Sequence, residues 1–65
     1  MIKPLDAEIR YRWRQVAATG TIRQRTFMRS LPWEAGLSDD QRRAALRTIR
    51  TVKQKLEREA FVDGR

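Results

Sequence analysis

The apolar residues of the C-terminal third of the chain recur at helical spacing, and this pattern constrains the fold more than any other feature. Four of them follow one another at intervals of four, three and four residues: Ala45, Ile49, Val52 and Leu56. Leu46 and Ala60 lie at the edge of the same stripe. Such intervals place side chains on one face of an α-helix. We therefore predict a long amphipathic helix over about residues 39 to 60.

Two capping boxes mark the starts of helices. Thr21 is followed three residues later by Gln24, and Ser38 is followed in the same way by Gln41. In this motif the hydroxyl of the cap residue accepts a hydrogen bond from the backbone amide three residues later. The glutamine side chain accepts one from the backbone amide of the cap residue. Because Pro32 disfavours a helical residue before it, the second helix should span about residues 22 to 31.

The N-terminal segment is open to two interpretations. Asp6 at a cap position and Gly20 as a stop signal predict a first helix over about residues 7 to 18. Alternation of apolar and basic residues from Ile9 to Arg14 is instead typical of a strand, which would make a hairpin. We favour the helix and leave the hairpin open.

These elements predict an all-α, small three-helix domain with a long amphipathic C-terminal helix. A chain of 65 residues has a thin core, and this one has no Cys for a disulfide and no His for a zinc site of the usual kind. We expect Trp13 and Trp33 to fill that core.

A thin core also favours pairing of two copies, so we predict a homodimer. The predicted interface consists of one exposed aromatic residue and the stripe of the third helix: Tyr11, Ala45, Ile49, Val52 and Leu56. The alternative is a monomer in which this stripe packs on the first helix.

Side chains that catalyse reactions are scarce. The chain has no His, no Cys and no glycine-rich phosphate loop, and Ser30 and Ser38 have no candidate base except carboxylates that resemble caps. Asp39 and Asp40 could offer oxygen ligands to a metal, but acidic residues at a helix N-terminus are usually capping groups. We therefore predict a protein that is not an enzyme and has no cofactor, metal site or small-molecule substrate.

The chain is strongly basic, with 15 Lys and Arg against 8 Asp and Glu and a net charge of +7. Between Ile9 and Arg29 there are six arginines and no acidic residue. The planar fork of Arg binds phosphate or carboxylate groups bidentately. On a helix, Arg10 and Arg14 flank one side of the apolar stripe and Arg12 flanks the other. A solvated basic surface without a ligand is the simpler alternative.

This charge distribution favours a nucleic-acid-binding regulatory protein whose partner is DNA. The arginines predicted to contact phosphates are Arg10, Arg14, Arg23, Arg25 and Arg29. The alternative is a small inhibitor or adaptor, of the kind that phages and mobile elements encode, which binds an acidic or nucleic-acid-binding surface of a host protein. Arginines around an exposed apolar patch with Tyr11, Phe27 or Met28 would favour this alternative.

Neither a membrane span nor a secretory signal is expected. No stretch approaches the roughly 20 apolar residues of a spanning helix, and the first residues lack an apolar signal region. We therefore expect a cytoplasmic protein without a membrane partner.

Overall fold

The computed structural model describes the backbone of residues 1–63 and the side chains of residues 1–60. In chain order its elements are α1 (Pro4–Val16), one 3-10 turn (Ala17–Thr19), α2 (Ile22–Ser30) and α3 (Asp39–Asp63). None of residues 1–63 lies in a strand. The prediction of an all-α chain with three α-helices is confirmed, and the hairpin is not formed.

The first helix begins earlier than predicted, at Pro4 instead of about residue 7. Proline suits the first turn of a helix because its φ is already helical and its missing N–H has no intrahelical partner there. Lys3 before it is extended, and no side chain caps this end. The prediction that Asp6 caps α1 is therefore wrong, since Asp6 lies within the first helical turn.

Asp6 instead joins α1 to α3 and to residues 31–38 between α2 and α3, which we call the connector. Its fully buried carboxylate accepts hydrogen bonds from the backbone N–H of Leu37, at 3.0 Å, and from Nε of Arg42, at 2.9 Å. The hydrogen bond from Leu37 holds the pKa of Asp6 below its ordinary value of 3.8, and Arg42 acts in the same direction, whereas burial opposes both. The N-terminal turn of α1 is thereby fixed against the start of α3.

Both predicted capping boxes are formed. The amide of Gln24 donates to the Thr21 hydroxyl at 3.1 Å, and the amide of Thr21 donates to the Gln24 side chain at 2.9 Å. The same reciprocal pair joins Ser38 and Gln41, at 3.1 and 2.9 Å. These bonds satisfy amides that have no partner within α2 or α3.

Gly20 follows the 3-10 turn, and a steric contact explains the need for glycine there better than its turn propensity does. Its backbone is extended, with φ of −69°, so it does not use the left-handed region that favours glycine. A Cβ at this position would lie 2.8 Å from Cη2 of Trp13. Glycine is required here because the backbone passes directly over the Trp13 ring.

The core collects apolar side chains from α1, from the end of α2 and the connector, and from the first half of α3. The buried apolar residues are Ile9, Trp13, Val16, Met28, Leu31, Trp33, Leu37, Ala45, Ile49 and Val52. Trp13 and Trp33 therefore occupy the positions expected of them. Leu56, the last member of the predicted stripe, is 38% exposed.

The second half of α3 extends away from this core. The helix has 25 residues, which at about 1.5 Å per residue corresponds to roughly 37 Å. Every residue from 53 to 60 is exposed, and the molecule measures 44 × 22 × 17 Å. No helix within residues 1–63 is long and apolar enough to cross a bilayer.

Candidate nucleic-acid interface

Two pairs of arginines, one pair on α1 and one pair on α2, line the same cleft. Arg10 and Arg14 are one helical turn apart on α1, and Arg25 and Arg29 are one turn apart on α2, so each pair projects from one side of its helix. Together they line a cleft of about 250 Å³, which we call the arginine groove. Its remaining lining residues are Trp13, Ala17 and Trp33.

Two tryptophans line the arginine groove together with its arginines. Trp33 donates a hydrogen bond from its indole Nε1 to the backbone carbonyl of Met28, at 2.9 Å, and this ties the connector to α2. Trp13 packs in the core beneath Gly20. Each tryptophan is buried, with 8% of its surface exposed. The lining of the arginine groove therefore includes aromatic side chains that belong to the core.

The charge of the arginine groove is not balanced locally. Among the side chains of residues 1–60, the ion pairs of arginine involve only Arg12, which pairs with Glu8 at 2.8 Å, and Arg42, which pairs with Asp6 and Asp39. None of the carboxylates among the described side chains lines the groove. Four guanidinium groups without described anionic neighbours make this cleft a favourable site for a polyanion.

Arg23 lies apart from the other four predicted arginines. It is two residues from Arg25, which on a helix turns its side chain about 160° away. Arg23 lines a separate cleft of about 350 Å³ between α2 and α3, together with Phe27 and Arg47. The structure thus brings together four of the five predicted phosphate ligands. Helical spacing in the sequence already separates Arg23 from Arg25, in the same way as it separates Arg12 from Arg10.

The residues predicted at a partner or dimer interface are also divided. Ala45, Ile49 and Val52 are buried in the core of the single chain. Tyr11 is 65% exposed, and Leu56 is the other exposed member of the set. Of the five residues predicted at this interface, Tyr11 and Leu56 are therefore the two that are exposed for contact with another molecule.

Nothing in the described residues forms a metal centre, since no three of their carboxylates lie together as ligands could. The contact that sequence patterns missed is the one between Asp6 and Arg42, which lie 36 positions apart in the chain. This pair holds α1 and α3 together. The only sequence signal was Pro4, which moves Asp6 into the helix.

No protein-family model, no curated protein and no solved structure matches this chain. A function must therefore be inferred from its geometry and charge.

Proposed function

We propose that the chain is a non-enzymatic, nucleic-acid-binding regulatory protein that holds the phosphate backbone of DNA in the arginine groove. The observation that carries the proposal is that Arg10, Arg14, Arg25 and Arg29 line one cleft, to which the carboxylates of residues 1–60 contribute no lining. Phosphate contacts of this kind supply most of the non-specific affinity for DNA, because each one releases condensed counterions. Guanidinium groups add bidentate hydrogen bonds to the phosphate oxygens.

The distribution of apolar residues supports DNA over the inhibitor alternative at this surface. An inhibitor would surround an exposed apolar patch with arginines, so that a few desolvated anchors could dominate its affinity. Met28 is buried, and Phe27 is partly buried in the separate cleft that contains Arg23. Tyr11 is exposed but does not line the arginine groove. None of the three apolar residues that would favour the inhibitor alternative therefore lines the arginine groove, whose apolar lining consists of Trp13, Ala17 and Trp33.

A salt titration of binding to random duplex DNA tests the proposal. Each neutralised phosphate contributes a log–log slope of about −0.9, so a chain that uses four arginines should show about −3 to −4. Replacing Arg25 and Arg29 by Ala should weaken binding strongly and reduce the magnitude of the slope by about one per arginine. Both side chains are exposed, so the fold should survive.

The matched control replaces Arg43 and Arg58 by Ala. Both lie exposed on α3 and line neither the arginine groove nor the cleft of Arg23, and the loss of charge is the same. The control should retain most of the slope. If both double variants lose the same slope, binding depends on net charge and not on the groove. If the parent does not bind at about 50 mM salt, where electrostatic association is strong, the inhibitor alternative replaces this proposal.

The homodimer remains part of the proposal, in a changed form. Because Ala45, Ile49 and Val52 fill the core of one chain, we propose that contact between copies uses Leu56 and the exposed second half of α3. Two copies would place two arginine grooves in one particle and so steepen the salt dependence.

A further inference from the structure

A second groove lies on the flank of α1 opposite the arginine groove. Arg12 is two residues from both Arg10 and Arg14, so it projects about 160° away from them around the helix axis. On that side α1 and α3 enclose a cleft of about 680 Å³, which we call the α1–α3 groove. Its lining residues are Arg12, Gln15, Val16, Leu46, Ile49, Arg50 and Lys53.

The base of the α1–α3 groove is apolar. Val16 and Ile49 are core residues that close its floor, and Leu46 beside them is 41% exposed. Leu46 also lines an adjoining cleft with Leu5, which is 54% exposed. Leu5 and Leu46 thus line one cleft that adjoins the groove, and grouped exposed apolar residues mark contact sites more often than single ones do.

The rim of this groove is cationic. Arg50 and Lys53 form no ion pair with any carboxylate among the described side chains, whereas Arg12 is paired with Glu8. An apolar floor bordered by cations matches an amphipathic helix that carries leucine-like side chains on one face and carboxylates beside them. A phosphate backbone would match the rim but would leave the leucines facing charged oxygens.

We propose that the α1–α3 groove docks an acidic amphipathic helix of a partner protein. The partner's apolar face would cover Leu46 and Leu5, and its carboxylates would pair with Arg50 and Lys53. α1 has 13 residues, or about 20 Å at about 1.5 Å per residue, so a partner helix of about three to four turns would fill the groove. The site lies on the opposite flank from the arginine groove, so it does not depend on DNA binding. A chain with both sites would link an acidic protein to a nucleic acid.

The test uses a fluorescently labelled synthetic peptide of about four helical turns with Leu along one face and Glu elsewhere. Its control is a scrambled peptide of the same composition, which keeps the charge and loses the apolar face. The parent protein should bind the amphipathic peptide at least about tenfold more tightly than the scrambled one. Leu46→Ser should remove most of that difference, and Arg50→Glu with Lys53→Glu should weaken binding about tenfold or more. A circular dichroism spectrum like the parent's confirms that each variant is folded.

The matched control reverses the same number of charges on the other flank, with Arg25→Glu and Arg29→Glu, and should leave peptide affinity unchanged. The proposal is overturned if both peptides bind equally well, or if this control weakens binding as much as reversal of Arg50 and Lys53. It is also overturned if neither peptide binds. If the Leu46→Ser variant then has a lower mass in solution than the parent, a second copy of the chain covers the groove. If reversal of Arg50 and Lys53 reduces DNA affinity as strongly as the control does, the groove belongs to the nucleic acid.

Discussion

The two halves of α3 continue one apolar spacing but have different surroundings. From Asp39 to Val52 the helix packs on α1 and the 3-10 turn, and Ala45, Ile49 and Val52 are buried. From residue 53 to 60 every residue is exposed, although Leu56 and Ala60 continue the same apolar spacing. Because α1 is about 20 Å long and α3 is about 37 Å long, α1 cannot cover both halves. Apolar spacing therefore predicts the helix, whereas burial depends on the length of the element opposite it.

The largest expected difference between the two halves of α3 is in how much their apolar residues contribute to the free energy of unfolding. Ile49→Ala should lower the free energy of unfolding by about 2 to 5 kcal/mol, because it leaves a cavity between α1 and α3. Leu56→Ala should cost much less, since 38% of Leu56 is already exposed. Urea denaturation followed by circular dichroism measures both values. Equal losses would mean that the second half of α3 is as well packed as the first half.

The next effect concerns the buried carboxylate of Asp6 on α1, which accepts a hydrogen bond from Arg42 in the packed half of α3. Asp6→Asn removes the charge that Leu37 and Arg42 stabilise, and hydrogen bonds to a charged group contribute about 1.5 to 3 kcal/mol each. The matched control, Asp39→Asn, removes a highly exposed carboxylate that pairs with the same Arg42 at 3.3 Å. Surface pairs contribute about 0 to 1 kcal/mol. Thermal unfolding at neutral pH should therefore separate the two variants, and similar melting temperatures would contradict the role assigned to Asp6.

The lowered pKa of Asp6 predicts that the stability of the chain decreases in acid. Because the pKa of Asp6 is lowered in the folded chain, its stabilising contribution is complete above its unfolded value, near 3.8. That contribution is lost as the pH falls below 3.8 through the folded pKa. Unfolding free energies measured from pH 6 to pH 2 should decline less for Asp6→Asn than for the parent. Parallel curves would show that other carboxylates cause the acid sensitivity.

The sequence predicts those features that depend on residues three or four positions apart. Both capping boxes and the separation of Arg12 from Arg10 follow from helical spacing alone. The contacts of Asp6 do not follow from helical spacing, because its partner Leu37 is 31 residues away and the contact requires the complete fold. Leu56 was predicted to be part of the stabilising stripe and is exposed, because periodicity within α3 carries no information about where α1 ends.

The last prediction has the smallest expected effect on stability. It concerns whether the exposed half of α3 contacts a second copy of the chain. Lys53, Glu57 and Arg58 alternate in sign around Leu56, so two copies could pair opposite charges on either side of an apolar contact. Light scattering at micromolar concentration should then give twice the chain mass of 7.7 kDa for the parent and the chain mass for Leu56→Glu. Val52→Glu is not a useful probe, since Val52 is buried and a charge there would unfold the chain. A parent that has the mass of one chain, or a Leu56→Glu variant that keeps the doubled mass with unchanged helix content, would exclude this interface.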